Sequence, residues 1–213
     1  MKKVSLMFIF LLTALLSVGQ SVHLIPARDF NSYEGQLKEY YGKVFPLLHT
    51  GFSQNPYAWY TSMPSFESEY AFSVEKIDGK YFILSNTLSE NYWYTRSRKA
   101  VKVIMCKMEI DEELYQKIGE LFRLLANQTK EKERKFKEGA DGEKYEVIEE
   151  GTDGTTYYFA LTDEKGEVKV GETWSPQKDS KLARVVEICD NLYSLKTENS
   201  LNDINYLINE LKE

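Results

Sequence analysis

The sequence predicts an α+β domain: a largely antiparallel sheet of about five to six strands with helices packed on it, in the order α-βββ-α-βββ-α-α. Three observations predict it. Apolar residues alternate with polar ones, the period of a half-buried strand, from Phe66 to Ile77 and again from Thr155 to Thr162. Each run meets a short glycine-bearing turn, Asp78-Gly79 or Asp163-Glu164-Lys165-Gly166, that returns the chain as a hairpin partner. Between and after the hairpins, apolar residues recur at spacings of three, four and seven, the mark of amphipathic helices.

At the amino terminus, Met1-Lys2-Lys3 precedes an apolar run from Val4 to Leu16 and then Ser17-Val18-Gly19. A charged start, a short apolar stretch and small residues predict a signal peptide spanning 1–19, cleaved before Gln20. The run is shorter than the roughly 20 residues needed to span a bilayer, and no comparable run follows. The expected mature chain, 20–213, is one domain without a membrane span, located in the periplasm or secreted. Because the segment 1–19 carries two lysines and no acid, cleavage takes the net charge from −6 to −8. Such a chain repels phosphate backbones, which argues against nucleic acid as a partner.

The first helix is predicted from about Ser32 to Val44, with Leu37, Tyr40, Tyr41 and Val44 on its stripe. Asn31, with Glu34 three residues on, is placed to cap it, and Pro46 to end or kink it. Thr50 to Pro64 reads as an aromatic loop holding Tyr57, Trp59 and Tyr60. The hairpin that follows should pair Val74 with Ile83 and Ser73 with Leu84. Lys80 to Thr87, apolar on both faces, is the expected inner strand, and Phe66 to Ile77 its more exposed neighbour. Ala100 to Ile110 makes the third strand. Asp111 caps a helix carrying Leu114, Ile118, Leu121, Phe122 and Leu125, with Glu112 and Glu113 favoured in its first turn by the helix dipole.

Lys130 to Glu150 is dominated by mixed charge and is the weakest joint of the domain; Tyr145 to Ile148 is a short strand near its end. Tyr157, Phe159 and Leu161 form the inward face of the next strand, continued on its partner by Val168, Val170 and Trp174. A helix is expected after Ser175-Pro176, bearing Leu182, Val185, Val186, Cys189 and Leu192. A last helix follows Ser200, boxed with Asp203. Asp153-Gly154-Thr155-Thr156-Tyr157-Tyr158-Phe159 and Trp174-Ser175-Pro176 resemble segments of uncharacterised exported bacterial proteins with a D-G-x-x-Y-x-F strand followed by a W-S-P helix start. The resemblance covers Asp153 to Leu195 and implies a bacterial exported origin, with no activity attached.

The motifs of chemistry are sparse. His23 and His49 are the two histidines, neither with a partner at ligand spacing, so neither a metal nor another cofactor is expected. A nucleophile elbow, a P-loop and G-x-G-x-x-G are absent. Export permits a Cys106–Cys189 disulfide, but one cysteine on a strand and the other on a helix packed above it are too far apart to favour it. Glu67 with Glu69, or Glu149 with Glu150, are the carboxylate pairs a hydrolase would use; the first pair reads more readily as the solvent side of a strand, where acids are expected. The less routine features are two aromatic clusters, Tyr57, Trp59 and Tyr60, and Tyr92, Trp93 and Tyr94 with Arg96 and Arg98. Such clusters form stacking platforms for sugars or anchors for a protein, and they also close the ends of small cores. The expected function is a non-catalytic binding module for a glycan, a peptidoglycan fragment or a protein. The alternatives are a carboxylate-dependent hydrolase and an inhibitor of an exported enzyme.

Overall fold

In chain order the elements are β1 (Ile25–Pro26), α1 (Gly35–Leu48), β2 (Trp59–Pro64), β3 (Tyr70–Ile77), β4 (Lys80–Leu88), β5 (Val103–Ile110), α2 (Glu112–Asn127), β6 (Phe136–Glu138), β7 (Lys144–Glu146), β8 (Thr155–Thr162), β9 (Val168–Trp174), α3 (Lys181–Tyr193) and α4 (Ser200–Lys212). They belong to a computed structural model that describes residues 23–132, 136–138, 143–146 and 153–213. The expected signal peptide, Ile148, and the Glu149 and Glu150 pair lie outside the described residues. Seven strands form one antiparallel sheet in the order β1-β9-β8-β2-β3-β4-β5, and β6 pairs with β7 apart from it. The α+β class with helices on an antiparallel sheet is thus the observed one.

Much of the local chemistry acts as expected. Asp78 and Gly79 take positive φ, 49° and 80°, and close the β3–β4 hairpin with Val74 opposite Ile83 and Ser73 opposite Leu84. Asp111 accepts a hydrogen bond from the Leu114 N–H at 2.7 Å and caps α2. Ser180, rather than Ser175-Pro176, caps α3 by accepting from the Ala183 N–H at 3.0 Å. The Ser200–Asp203 box does not form, because Ser200 is already helical and its hydroxyl turns back to the Lys196 carbonyl. Helix α1 starts at Gly35 and runs through Pro46 to Leu48. A proline two residues from a helix end costs one hydrogen bond in a turn that is ending anyway.

Three strand expectations are corrected. The stretch expected as an aromatic loop contains β2, which is buried and paired on both sides, with β3 and with β8. Pro56 before it and Pro64 at its last position, where a missing N–H is tolerated, give it the look of a loop. With β2 beside it, β3 lies inside the sheet: Ala71, Phe72, Ser73 and Val74 are fully buried, and so is Glu69 just before it. The strand β4 is inside the sheet as expected, paired with β3 and β5, but one position from the edge, with Phe82 and Leu84 partly exposed.

The third correction is a slip of register. The β8–β9 loop spans five residues, Asp163 to Glu167, instead of four, because the Asp163 carboxylate accepts from the N–H groups of both Lys165 and Glu167 at 2.9 Å. One residue of shift sends every side chain of β9 to the opposite face. Gly171 and Thr173 therefore sit with Tyr157, Phe159 and Leu161, while Val168, Val170 and Trp174 join Tyr158 and Ala160 on the other side, where all three stay exposed.

Helices α2, α3 and α4 cover one face, packing on Tyr60, Phe72, Ile83 and Phe159. Among the described helices only α1 lies on the other face, where its Tyr40, Val44 and Leu48 sit on Met63, Ala71 and Leu88. Seven strands at about 4.8 Å spacing are roughly 29 Å wide, against about 10 Å for a helix. A single helix cannot cover that face, and the part beneath its flank is left open.

Candidate functional site: an aromatic cleft under the first helix

Two adjacent rows of side chains leave α1 toward this uncovered strip. Tyr41, Phe45 and His49 follow one another at i, i+4 and i+8, and Lys38, Gly42 and Pro46 do the same alongside, so each set shares a face of the helix. Beneath them lie Trp59 and Thr61 of β2, Tyr158 and Ala160 of β8, and Val168 and Val170 of β9. In register, Trp59 stands beside Ala160 and Ala160 beside Val170, so the floor is one continuous row across three strands. The space between helix and floor is a cleft of about 550 Å³. Phe30 lines the end nearer the start of α1, its ring 4.6 Å from Phe45, 5.0 Å from Tyr41 and 5.4 Å from Tyr158.

His49 marks the opposite end. Its Nε2 and the Thr61 hydroxyl share a hydrogen bond at 3.0 Å, and the rings of Trp59, Phe45 and Phe52 lie 4.5, 5.6 and 5.7 Å away. Burial among them holds its pKa down to about 4, so the imidazole is neutral at neutral pH. Near the Phe30 end, burial pushes the Tyr41 and Tyr158 hydroxyls and the Glu172 carboxyl above their ordinary values. Glu172 accepts from the Arg28 N–H at 3.3 Å, with the Arg28 guanidinium 4.0 Å away. The cleft itself is lined by rings and aliphatic groups, with few polar atoms.

The aromatic residues singled out in the sequence do not form one site. Trp59 lines the cleft. Its neighbour Tyr60, on the opposite side of β2, is fully buried beneath α3 and donates to Asp190 at 2.7 Å. Tyr57 stacks on Tyr115 of α2, ring centroids 4.0 Å apart. The second cluster packs along the Tyr40 side of α1, away from the cleft. There Tyr92 is buried and its N–H donates to Glu69, Trp93 meets Tyr40 edge-on at 5.2 Å, and Arg98 pairs with Glu39 at 3.7 Å while lying over the Tyr92 ring. Tyr94 is exposed and stacked on Phe66, and Arg96 is exposed.

The carboxylates behave differently from their sequence reading. Glu67 is exposed, but Glu69 is fully buried, accepting from the Tyr40 hydroxyl at 2.6 Å and from the Tyr92 N–H at 3.0 and 3.2 Å. It is a structural tie rather than half of an acid pair. Both cysteines are free thiols, Cys106 exposed on the edge strand β5 and Cys189 buried in α3, where burial pushes its thiol well up. Among the described residues no group of three or more His, Cys, Asp or Glu is placed to hold a metal, and no helix is long and apolar enough to cross a membrane.

Tyr41, Phe45, His49, Tyr158, Val168 and Val170 went unmarked as site residues. The i, i+4, i+8 series on α1 was visible, but which flank of the helix stays uncovered depends on sheet width and on the β8–β9 register. The chain matches no family model, no curated protein and no solved structure. Fold and cleft together define the class: an antiparallel sheet clad by three helices on one face and one on the other, with an aromatic cleft beneath the single helix.

Proposed function

We propose that the chain is a non-catalytic binding protein whose ligand enters the cleft between α1 and the sheet. The observation that carries this reading is the lining: Phe30, Tyr41, Phe45, Trp59 and Tyr158 surround about 550 Å³ of accessible space, within the range of roughly 300–1,000 Å³ typical of small-molecule sites. A glycan would need several polar groups at hydrogen-bond distance, and the cleft offers few, so an apolar ligand fits better. The signal peptide expected over Met1 to Gly19 supports a setting in the bacterial periplasm or outside the cell for this binding.

The test exploits Gly42. It lines the cleft, and a Cβ added there meets no atom within 4 Å. Gly42→Leu should place a side chain in the cleft while raising helix propensity. Titration with an apolar fluorescent dye should show saturable binding to the wild type and at least tenfold weaker binding to Gly42→Leu, at an equal or higher melting temperature. Equal binding by both proteins, or none by the wild type, would remove the cleft as the site.

A further inference from the structure

We infer that the ligand of this cleft is an amphipathic carboxylate, its apolar tail between α1 and the sheet and its carboxylate at Lys38; this rests on the cleft being the binding site. Among the described residues that line the cleft there is no Asp or Glu, and Lys38 is the one Lys or Arg. Lys38 is exposed in the first turn of α1, about three turns before His49, so it marks the mouth of the cleft, and it makes no ion pair among the described residues. Glu39, next to it in the chain, pairs with Arg98, and Glu172, beside Tyr41 and Tyr158 of the cleft, pairs with Arg28. Glu34, exposed at the N-cap of α1 four residues earlier, carries a negative charge that opposes a carboxylate head at Lys38.

The two ends of the cleft fix the orientation. At the far end, His49 sits among Phe45, Phe52 and Trp59 with Nε2 already bonded to Thr61. An anionic head placed there would be stripped of water against a neutral imidazole that offers no countercharge. A hydrocarbon tail has no such penalty and gains affinity with each methylene removed from water. At the mouth, the ammonium of Lys38 meets a carboxylate that keeps part of its hydration. The arrangement is thus tail inward, head at the mouth.

The test compares a saturated straight-chain carboxylate with the primary alcohol of the same chain length, each displacing an apolar dye from the full chain at low ionic strength. The quantity read is the ratio of alcohol Kd to acid Kd. An exposed ion pair is worth up to about fivefold in affinity, so Lys38→Met should lower this ratio about fivefold while leaving the alcohol Kd within about twofold. Glu34→Gln should raise the ratio, and added salt should shrink the difference between wild type and Lys38→Met. A ratio unmoved by Lys38→Met, with both compounds still displacing the dye, overturns the carboxylate assignment and leaves the cleft standing. Failure of both compounds to displace a bound dye overturns the two together.

Discussion

The imidazole of His49, at the C-terminal end of α1, meets the Thr61 hydroxyl in the middle of the sheet at 3.0 Å. Helix and sheet are therefore joined at the inner end of the cleft by a hydrogen bond shared with a ring that burial keeps neutral. Burial lowers the His49 pKa from 6.5 to about 4. Between those values the unfolded chain binds a proton that the folded chain refuses, so this contribution is complete above about pH 6.5 and is lost as pH falls toward 4. NMR titration of the imidazole, assigned with His49→Gln, should give a midpoint near 4; a midpoint near 6.5 would mean that the ring is hydrated.

Asp190 makes an opposite prediction. Its Oδ1 accepts from the hydroxyls of both Tyr60 and Tyr70 at 2.7 Å, and burial raises its pKa above 3.8. The folded state then holds this proton more tightly than the unfolded chain, and stability falls as pH rises through that window. Asp190→Asn keeps an acceptor for both hydroxyls and removes the buried charge, so it should cost under about 1 kcal/mol at pH 7. Asp190→Ala leaves two buried hydroxyls without a partner, at about 1–3 kcal/mol each. Urea unfolding of the two variants separates these outcomes; equal losses would show that the charge itself is required.

Two glycines inside helices should answer alanine with opposite signs. At Gly42 the new methyl group meets open space, and the gain is the helix propensity, about 0.8–1 kcal/mol. At Gly119 the same atom would lie 2.1 Å from the Tyr57 hydroxyl, whose ring is held against Tyr115. Gly119→Ala should therefore lose about 1–3 kcal/mol from overpacking, and Tyr57→Ala in that background should recover part of the loss. Thermal unfolding of the four proteins checks both signs.

How far the sequence reached is clearest in its two hairpins. Asp78-Gly79 has one way to close a two-residue turn, so the pairing of Val74 with Ile83 was legible residue by residue. The Asp163–Glu167 loop was not, because the choice between four and five residues lies in hydrogen bonds that Asp163 makes to the backbone, and nothing in the apolar pattern of β9 records that choice. The slip turned Val168 and Val170 from expected core into cleft wall. Glu69 was hidden for a related reason. Alternation correctly sets it apart from Tyr70, but whether its side of β3 meets water or α1 is a tertiary fact.

Glu69 carries the last prediction. Fully buried, it holds Tyr40 of α1 and the N–H of Tyr92 on one carboxylate, and its carbonyl accepts from the Leu88 N–H at 2.9 Å. Strand, helix and the aromatic loop are thus tied through a single side chain. Asn91 completes the loop by accepting from the N–H groups of Trp93 and Tyr94 at 3.0 and 3.1 Å and donating to the Glu67 carbonyl at 2.6 Å. Glu69→Ala should cost about 2–4 kcal/mol, since it strands a buried hydroxyl and a buried N–H. Tyr40→Phe should cost about 1 kcal/mol, and the double variant less than the sum, because both remove the same bond. Hydrogen exchange at the amides of 92–94 should accelerate in Glu69→Ala and stay unchanged in Tyr40→Phe. Acceleration in both would place the constraint in the packing of Tyr40 on Trp93 instead of in the carboxylate.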